Sequence, residues 1–284
     1  MKNWIIVAES GSDITYDEAK ELGIELVPMH VTMGGKSYDD GTFPAEDICN
    51  YYKEHKELPK TSGSVPADFI SLYDRIHAEH PQAQILHLAY SAVTTISYNS
   101  SLAAAEGRDY VTAIDTKHVS VGQRAVVLQT LDLLKNEPGI AKDRLLKKVR
   151  AICDHTKMSF LPADLAYLHA GGRCTNLELW GSRLLHLHPC IEILDGKLIA
   201  TTKYRGSFQK VVKKLVRDCA EKNHLTRERL WLVRTPGLSE ETRKIAEDTA
   251  KELGFGLISW VKTGCVITTH GGEGAIGVVG IAEV

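Results

Sequence analysis

Hydroxyls and cations gather in this chain where structural elements should end. Thr61-Ser62 lies in a stretch read as a loop, just ahead of a helix that opens at Ser64 and Pro66. Those residue types suit an N-cap and a first turn. Ser91, Thr94, Thr95 and Ser97 follow the apolar run Ile85–Ala89 and lead into the next helix. Hydroxyls and free N–H groups at a helix start suit an anion. Either loop alone reads more simply as capping. Arg205 stands in Lys203-Tyr-Arg205-Gly206, between a strand and a helix. Taken singly, it reads as an exposed surface arginine. His270 closes Thr268-Thr-His270, read as a polar strand end, and meets Gly271-Gly-Glu-Gly274. A glycine-rich turn there lets backbone approach a partner closely. Gly171-Gly172-Arg173 is a helix stop followed by a cation, and a C-cap explains the better half of it. Taken together these groups could bind an anionic head group. The alternative is an enzyme acting on an acyl ester or phosphorylated substrate, with His270 as base and Thr61 or Ser91 as nucleophile. That chemistry needs hydrogen-bond contact and a third, orienting group.

Other chemistries find no support. Gly272-Glu-Gly274-Ala-Ile-Gly277 matches a dinucleotide-binding pattern, but only seven residues follow Gly277. The pattern needs a helix, another strand and an acidic residue about 20 positions on. Gly35-Lys36-Ser37 resembles the end of a phosphate loop, yet His30 stands where its first glycine belongs. There is no HExxH and no GxSxG. His186 and His188 would share one face of a strand, with no third metal ligand near, and read as ordinary histidines. No metal and no cofactor is expected.

The 284 residues suggest about two domains. Lys plus Arg number 34 against 36 Asp plus Glu, a net charge of −2. A near-neutral chain argues against nucleic acid as a partner. No apolar run approaches the roughly 20 residues of a membrane span; Gly274–Ala282 is short and glycine-rich. Glu9 interrupts the apolar start too early for a signal peptide. The six cysteines show no CxxC spacing, and six reduced, buried thiols in a cytoplasmic protein are expected.

The elements that must position the candidate groups follow from periodicity. Trp4–Ala8, Glu25–Val31 (with Pro28 marking an edge or bulge), Ile85–Ala89 and Tyr110–Ile114 read as strands. Between and after them, Asp17–Leu22, Pro44–His55, Pro66–Glu79, Ser97–Glu106, Val121–Leu134 and Asp143–Cys153 read as helices. This alternation predicts an N-terminal parallel sheet covered by helices. The second half reads as a helix at Asp164–His169, then a hairpin of Cys190–Leu194 and Lys197–Thr202 about Asp195-Gly196. Helices Ser207–Glu221 and Glu240–Leu253 alternate with strands Arg229–Arg234, Gly256–Trp260 and Val266–Thr269. The expected fold is two α/β domains, residues 1–155 and 156–284, the second with a mixed or antiparallel sheet.

The order of motifs resembles the DegV family of bacterial fatty-acid-binding proteins. It runs Glu9-Ser10-Gly-Ser-Asp13, Asp39-Asp40-Gly41, Thr61-Ser62, the Ser91–Tyr98 turn, Asp115, Leu168-His-Ala-Gly-Gly-Arg173, Pro189, Asp195-Gly196, Lys203-Tyr-Arg205-Gly206 and Thr269-His270-Gly-Gly-Glu-Gly274-Ala275. The resemblance implies one long-chain fatty acid (C14–C18) buried between two domains, in lipid transport or fatty acid metabolism. It also implies that the carboxylate is presented to a separate kinase subunit, so no catalytic residue is needed here. The carboxylate-binding roles fall on Thr61, Ser62, Ser91, Thr94, Thr95, Arg205 and His270, with backbone support from Gly271, Gly272 and Gly274. Four departures stand out. The usual Thr-Ser-Gln-Pro-Ser loop is Thr61-Ser-Gly-Ser-Val-Pro66, the opening Asp is Glu9, and the usual Lys-Pro is His188-Pro189. Ile96 replaces a glycine and is expected to hold the backbone further from a carboxylate.

Overall fold

A computed structural model describes residues 4–174 and 187–283. The first stretch runs β1 (Trp4–Glu9), a 3-10 turn (Ser10–Ser12), α1 (Tyr16–Leu22), β2 (Glu25–Val27), β3 (His30–Met33), β4 (Lys36–Asp39), α2 (Glu46–His55) and β5 (Lys60–Ser62). It continues with α3 (Pro66–Glu79), β6 (Gln84–Ala89), α4 (Ser97–Ala105), β7 (Val111–Asp115), α5 (Ser120–Asn136) and α6 (Lys142–His155). Then come β8 (Thr156–Leu161), α7 (Leu165–Gly171), β9 (Leu187–Leu194), β10 (Lys197–Arg205), α8 (Phe208–Lys222) and β11 (Leu225–Arg234). The last elements are α9 (Glu240–Glu252), β12 (Leu257–Lys262), α10 (Cys265–Gly271) and β13 (Ile276–Ala282).

The strands form three sheets. A four-stranded sheet, β2-β1-β6-β7, is parallel throughout. Its central strands are apolar runs buried on both faces, as a helix-covered parallel sheet requires. A six-stranded sheet, β10-β9-β8-β13-β11-β12, is antiparallel except for the β11–β12 pair. The alternation of strand and helix thus gives a parallel sheet first and a mixed sheet after. Asp195 (φ 47°) and Gly196 (φ 80°) form the tight turn of the β9–β10 hairpin, because both positions of such a turn need the left-handed region.

Three local expectations are corrected, and one strand is added. The run Glu25–Val31 is broken at Pro28, which lacks the N–H a continuous strand would need. Its second half becomes β3, in a small antiparallel sheet, β4-β3-β5, that periodicity does not predict. Thr61 and Ser62 therefore lie on a strand rather than in a loop, with Thr61 opposite Val31 and Ser62 opposite His30. The run Gly274–Ala282 holds a central strand, β13, between β8 and β11. The stretch Val266–Thr269 is helix, not strand. Its β-branched residues favour a strand locally, but carboxylates from the N-terminal half accept its first N–H groups.

A buried apolar cluster joins the two halves. It takes Met29 and Ile48 from the first, and Leu168, Ile191, Trp231 and Val266 from the second.

Candidate functional site

Two hydroxyl-bearing segments face each other where the small sheet meets α4. Gly63 makes the approach feasible: a Cβ there would stand 2.1 Å from Thr95 Oγ1 and 2.7 Å from Ser97 Oγ. The Ser64 N–H donates to Ser97 Oγ at 3.0 Å, and Ser64 Oγ donates to the Pro28 carbonyl at 2.7 Å. Ser64 and Ser97 are both fully buried. The two segments are thereby locked with Thr61, Ser62, Thr94 and Thr95 toward a common space. Ile96 does not intervene. It is 57% exposed and has ordinary helical backbone angles. The close approach of the two segments is made at Gly63.

His270 closes the same space from α10. Its Nε2 is 2.7 Å from Thr61 Oγ1. Its Nδ1 is buried without a partner among the described residues and faces Gly171, where a Cβ would intrude to 2.3 Å. Burial first, and the charge of Arg173 second, push the imidazole down to about 4. The ring is therefore neutral at pH 7, and Nε2 either accepts the Thr61 proton or donates to its oxygen.

These groups form one end of a cavity of about 90 Å³. About 10–15 Å³ would suffice for a single water, so this is a room and not a packing defect. Its polar end comprises Thr61, Ser62, Thr94, Thr95, Arg173 and His270. Its walls are apolar, with Met29, Tyr90, Met158, Leu168, Leu198 and Val266 among them. Donors and one cation suit an anionic head; the walls suit hydrocarbon. Glu9 serves the wall: its Oε2 accepts from the Tyr90 N–H at 2.9 Å and from Gln123 Nε2 at 2.6 Å.

Not every residue singled out in the sequence reaches this space. Thr61, Ser62, Thr94, Thr95, His270 and Gly271 line it. Ser91, Arg205, Gly272 and Gly274 do not. The Ser91 hydroxyl is spent on the Gly196 carbonyl at 2.8 Å. Arg205 ends β10, exposed to solvent. The lining cation is Arg173, whose guanidinium also donates to the Gly171 carbonyl. Gly272 is the C-cap of α10, and the Gly274 N–H donates to Pro236 O at 2.8 Å. Ser120 and Thr235 also line the cavity and carry no motif that would have marked them. His186 lies outside the described residues, and His188 lies on β9 with Nε2 3.2 Å from the Gly206 carbonyl. Among the described residues no group of three His, Cys, Asp or Glu could hold a metal ion.

Behind His270, two buried carboxylates hold the start of α10. Asp13 Oδ1 accepts the Gly264 N–H at 2.7 Å, and Oδ2 accepts from the Ser120 hydroxyl. Asp40 Oδ1 accepts the N–H groups of Cys265 and Val266 at 2.8 and 3.2 Å, and Oδ2 accepts from Ser10 Oγ at 2.9 Å. Burial pushes Asp13 up to about 7 and also raises Asp40, against the pull of these donors.

A family model described as an uncharacterised protein of the DegV family matches residues 3–283. The chain belongs to the DegV family. A DegV domain-containing protein of Deinococcus radiodurans is 27% identical over 281 residues, covering 96% of each chain. A DegV protein of Thermus thermophilus, solved for its fatty acid binding, is 25% identical with a TM-score of 0.86, covering 99% of this chain and 100% of that one. A hypothetical protein of Thermotoga maritima, said to reveal fatty acid binding function, is also 25% identical, with a TM-score of 0.81 and the same coverage.

Proposed function

We propose that this DegV protein binds one long-chain fatty acid, with its carboxylate among Thr61, Ser62, Thr94, Thr95, Arg173 and His270 and its tail along the apolar walls. The observation that carries the reading is the cavity's lining: hydroxyls, an imidazole and one guanidinium beside largely apolar side chains. Each buried CH₂ adds about 0.8 kcal/mol, so the tail supplies most of the affinity. The fatty acid binding stated for the two solved relatives supports this ligand class. The lobes meeting at the cavity correspond to residues 1–155 and 156–284. In this reading the protein carries the acid and presents its carboxylate to a separate kinase subunit. It works in the cytoplasm, where its six buried cysteines stay reduced. Among the described residues no helix is long and apolar enough to cross a membrane.

One observation favours the hydrolytic alternative: Thr61 and His270 are in nucleophile–base contact. The third group is missing, since Nδ1 of His270 has no partner among the described residues. Glu273, near it in sequence, is turned to Lys53 at 2.7 Å. Mass spectrometry of an organic extract of the purified protein separates the readings. A stoichiometric C14–C18 acid is expected. An empty protein that turns over an activated acyl ester would establish the alternative.

A further inference from the structure

We infer that Asp13 and Asp40 are positioning residues for the head-group site: by capping α10 from the opposite lobe, they fix where His270 stands against Thr61. The inference rests on the fatty-acid reading above and deepens it. It begins with what α10 is. A helix of seven residues is far below the about 12–15 that hold together unaided. Its interior, Val266-Ile-Thr-Thr269, is β-branched and favours a strand. Something outside the segment must therefore make it helical.

The two carboxylates meet that need. The first N–H groups of any helix lack partners within it. Here those of Gly264, Cys265 and Val266 go to Asp13 and Asp40. The carboxylates are themselves fixed, Asp40 by Ser10 and Asp13 by Ser120. Ser10 Oγ in turn accepts the Met29 N–H at 3.0 Å. Met29 and Ser120 both line the cavity, so the capping cluster is tied to the cavity wall as well as to the helix. From Gly264 to His270 is six residues, about 9 Å of rise. Over so short a helix, a shift of the capped end moves the imidazole with it. Thr61, the partner of that imidazole, stands on β5 of the same lobe as the carboxylates. Asp13, Asp40 and Thr61 thus hold the two ends of one C-terminal helix.

The test is a double-mutant cycle read by oleate binding and by histidine NMR on the full chain. Asp40→Asn keeps the volume and one acceptor, and a melting curve confirms that it folds. It is expected to raise the Kd for oleate about tenfold in the parent. In a His270→Ala background it should change the Kd by less than about twofold, because the group it positions is gone. The His270 ring resonances should shift in Asp40→Asn, while those of His77, stacked on Tyr110, should stay. Equal losses in both backgrounds, or an unmoved His270 signal, would overturn the positioning role. If His270→Ala alone binds oleate like the parent, the head-group reading itself falls, and that outcome is distinct from the other two.

Discussion

The two ends of α10 are built to opposite rules. At its start, all four oxygens of Asp13 and Asp40 accept hydrogen bonds. At its end, His270 spends one ring nitrogen on Thr61 and leaves the other, buried, without a partner among the described residues. Buried polar groups are normally paired, and an unpaired one calls for an explanation. A saturated cluster has nothing to offer a ligand and acts as structure. Thr61, Ser62 and Thr95 line a cavity beside His270, and there a ligand can add bonds. The difference separates two sets of polar residues that look alike in sequence.

The comparison breaks most easily at the saturated end. Ser10→Ala removes one donor from Asp40 and strands the Met29 N–H. Leaving such groups unpaired costs about 1–3 kcal/mol each. A stability loss of about 2 kcal/mol or more is therefore expected in urea unfolding. A loss below about 0.5 kcal/mol would mean that the cluster is not under the strict accounting claimed for it.

Much of this contrast was legible in the sequence, but unevenly. The parallel sheet was readable because strands such as Ile85–Ala89 are long apolar runs between strongly periodic helices. The hairpin was readable because Asp195-Gly196 has only one common use between two strands. Thr61, Ser62, Thr94, Thr95 and His270 were marked by residue type at element ends. What failed was long-range. Val266–Thr269 looks like a strand until Asp13 and Asp40, more than 220 residues earlier, are placed at its start. Arg205 and Arg173 both follow an element end, and only the packing of α7 on α10 shows which one lines the cavity. The close contact between the two hydroxyl-bearing segments falls on Gly63, which no motif marks, while Ile96 is exposed.

At the unsaturated end a smaller effect on stability and a larger one on binding are expected. Thr61→Val keeps the branched shape that suits β5 and deletes the hydroxyl that meets His270. Stability should fall by about 1 kcal/mol. Oleate affinity, measured by displacement of a fluorescent fatty acid, should fall roughly tenfold. Binding as tight as the parent's would place the carboxylate elsewhere in the cavity.

The last effect concerns pH. His270 and His118 are both held down to about 4 by burial. Their contribution to stability is present above the unfolded value of about 6.5 and is lost as pH falls toward 4. Asp13, held up to about 7, and Asp40, also raised, act in the opposite sense. Their contribution is present below the unfolded value of about 3.9 and is lost as pH rises through the raised values. Between about pH 4 and 6.5 the unfolded chain carries protons on the two histidines, while the folded chain keeps one on Asp13. Asp40, also raised, acts in the same sense as Asp13. The carboxyls therefore flatten the rise of stability with pH that the histidines alone would give. Asp13→Asn removes one opponent. Its stability should then climb more steeply with pH than the parent's over the same range, by up to about 1.4 kcal/mol per unit. Urea titrations at half-unit intervals would show it. A slope in the variant no steeper than the parent's would mean that Asp13 does not oppose the histidines.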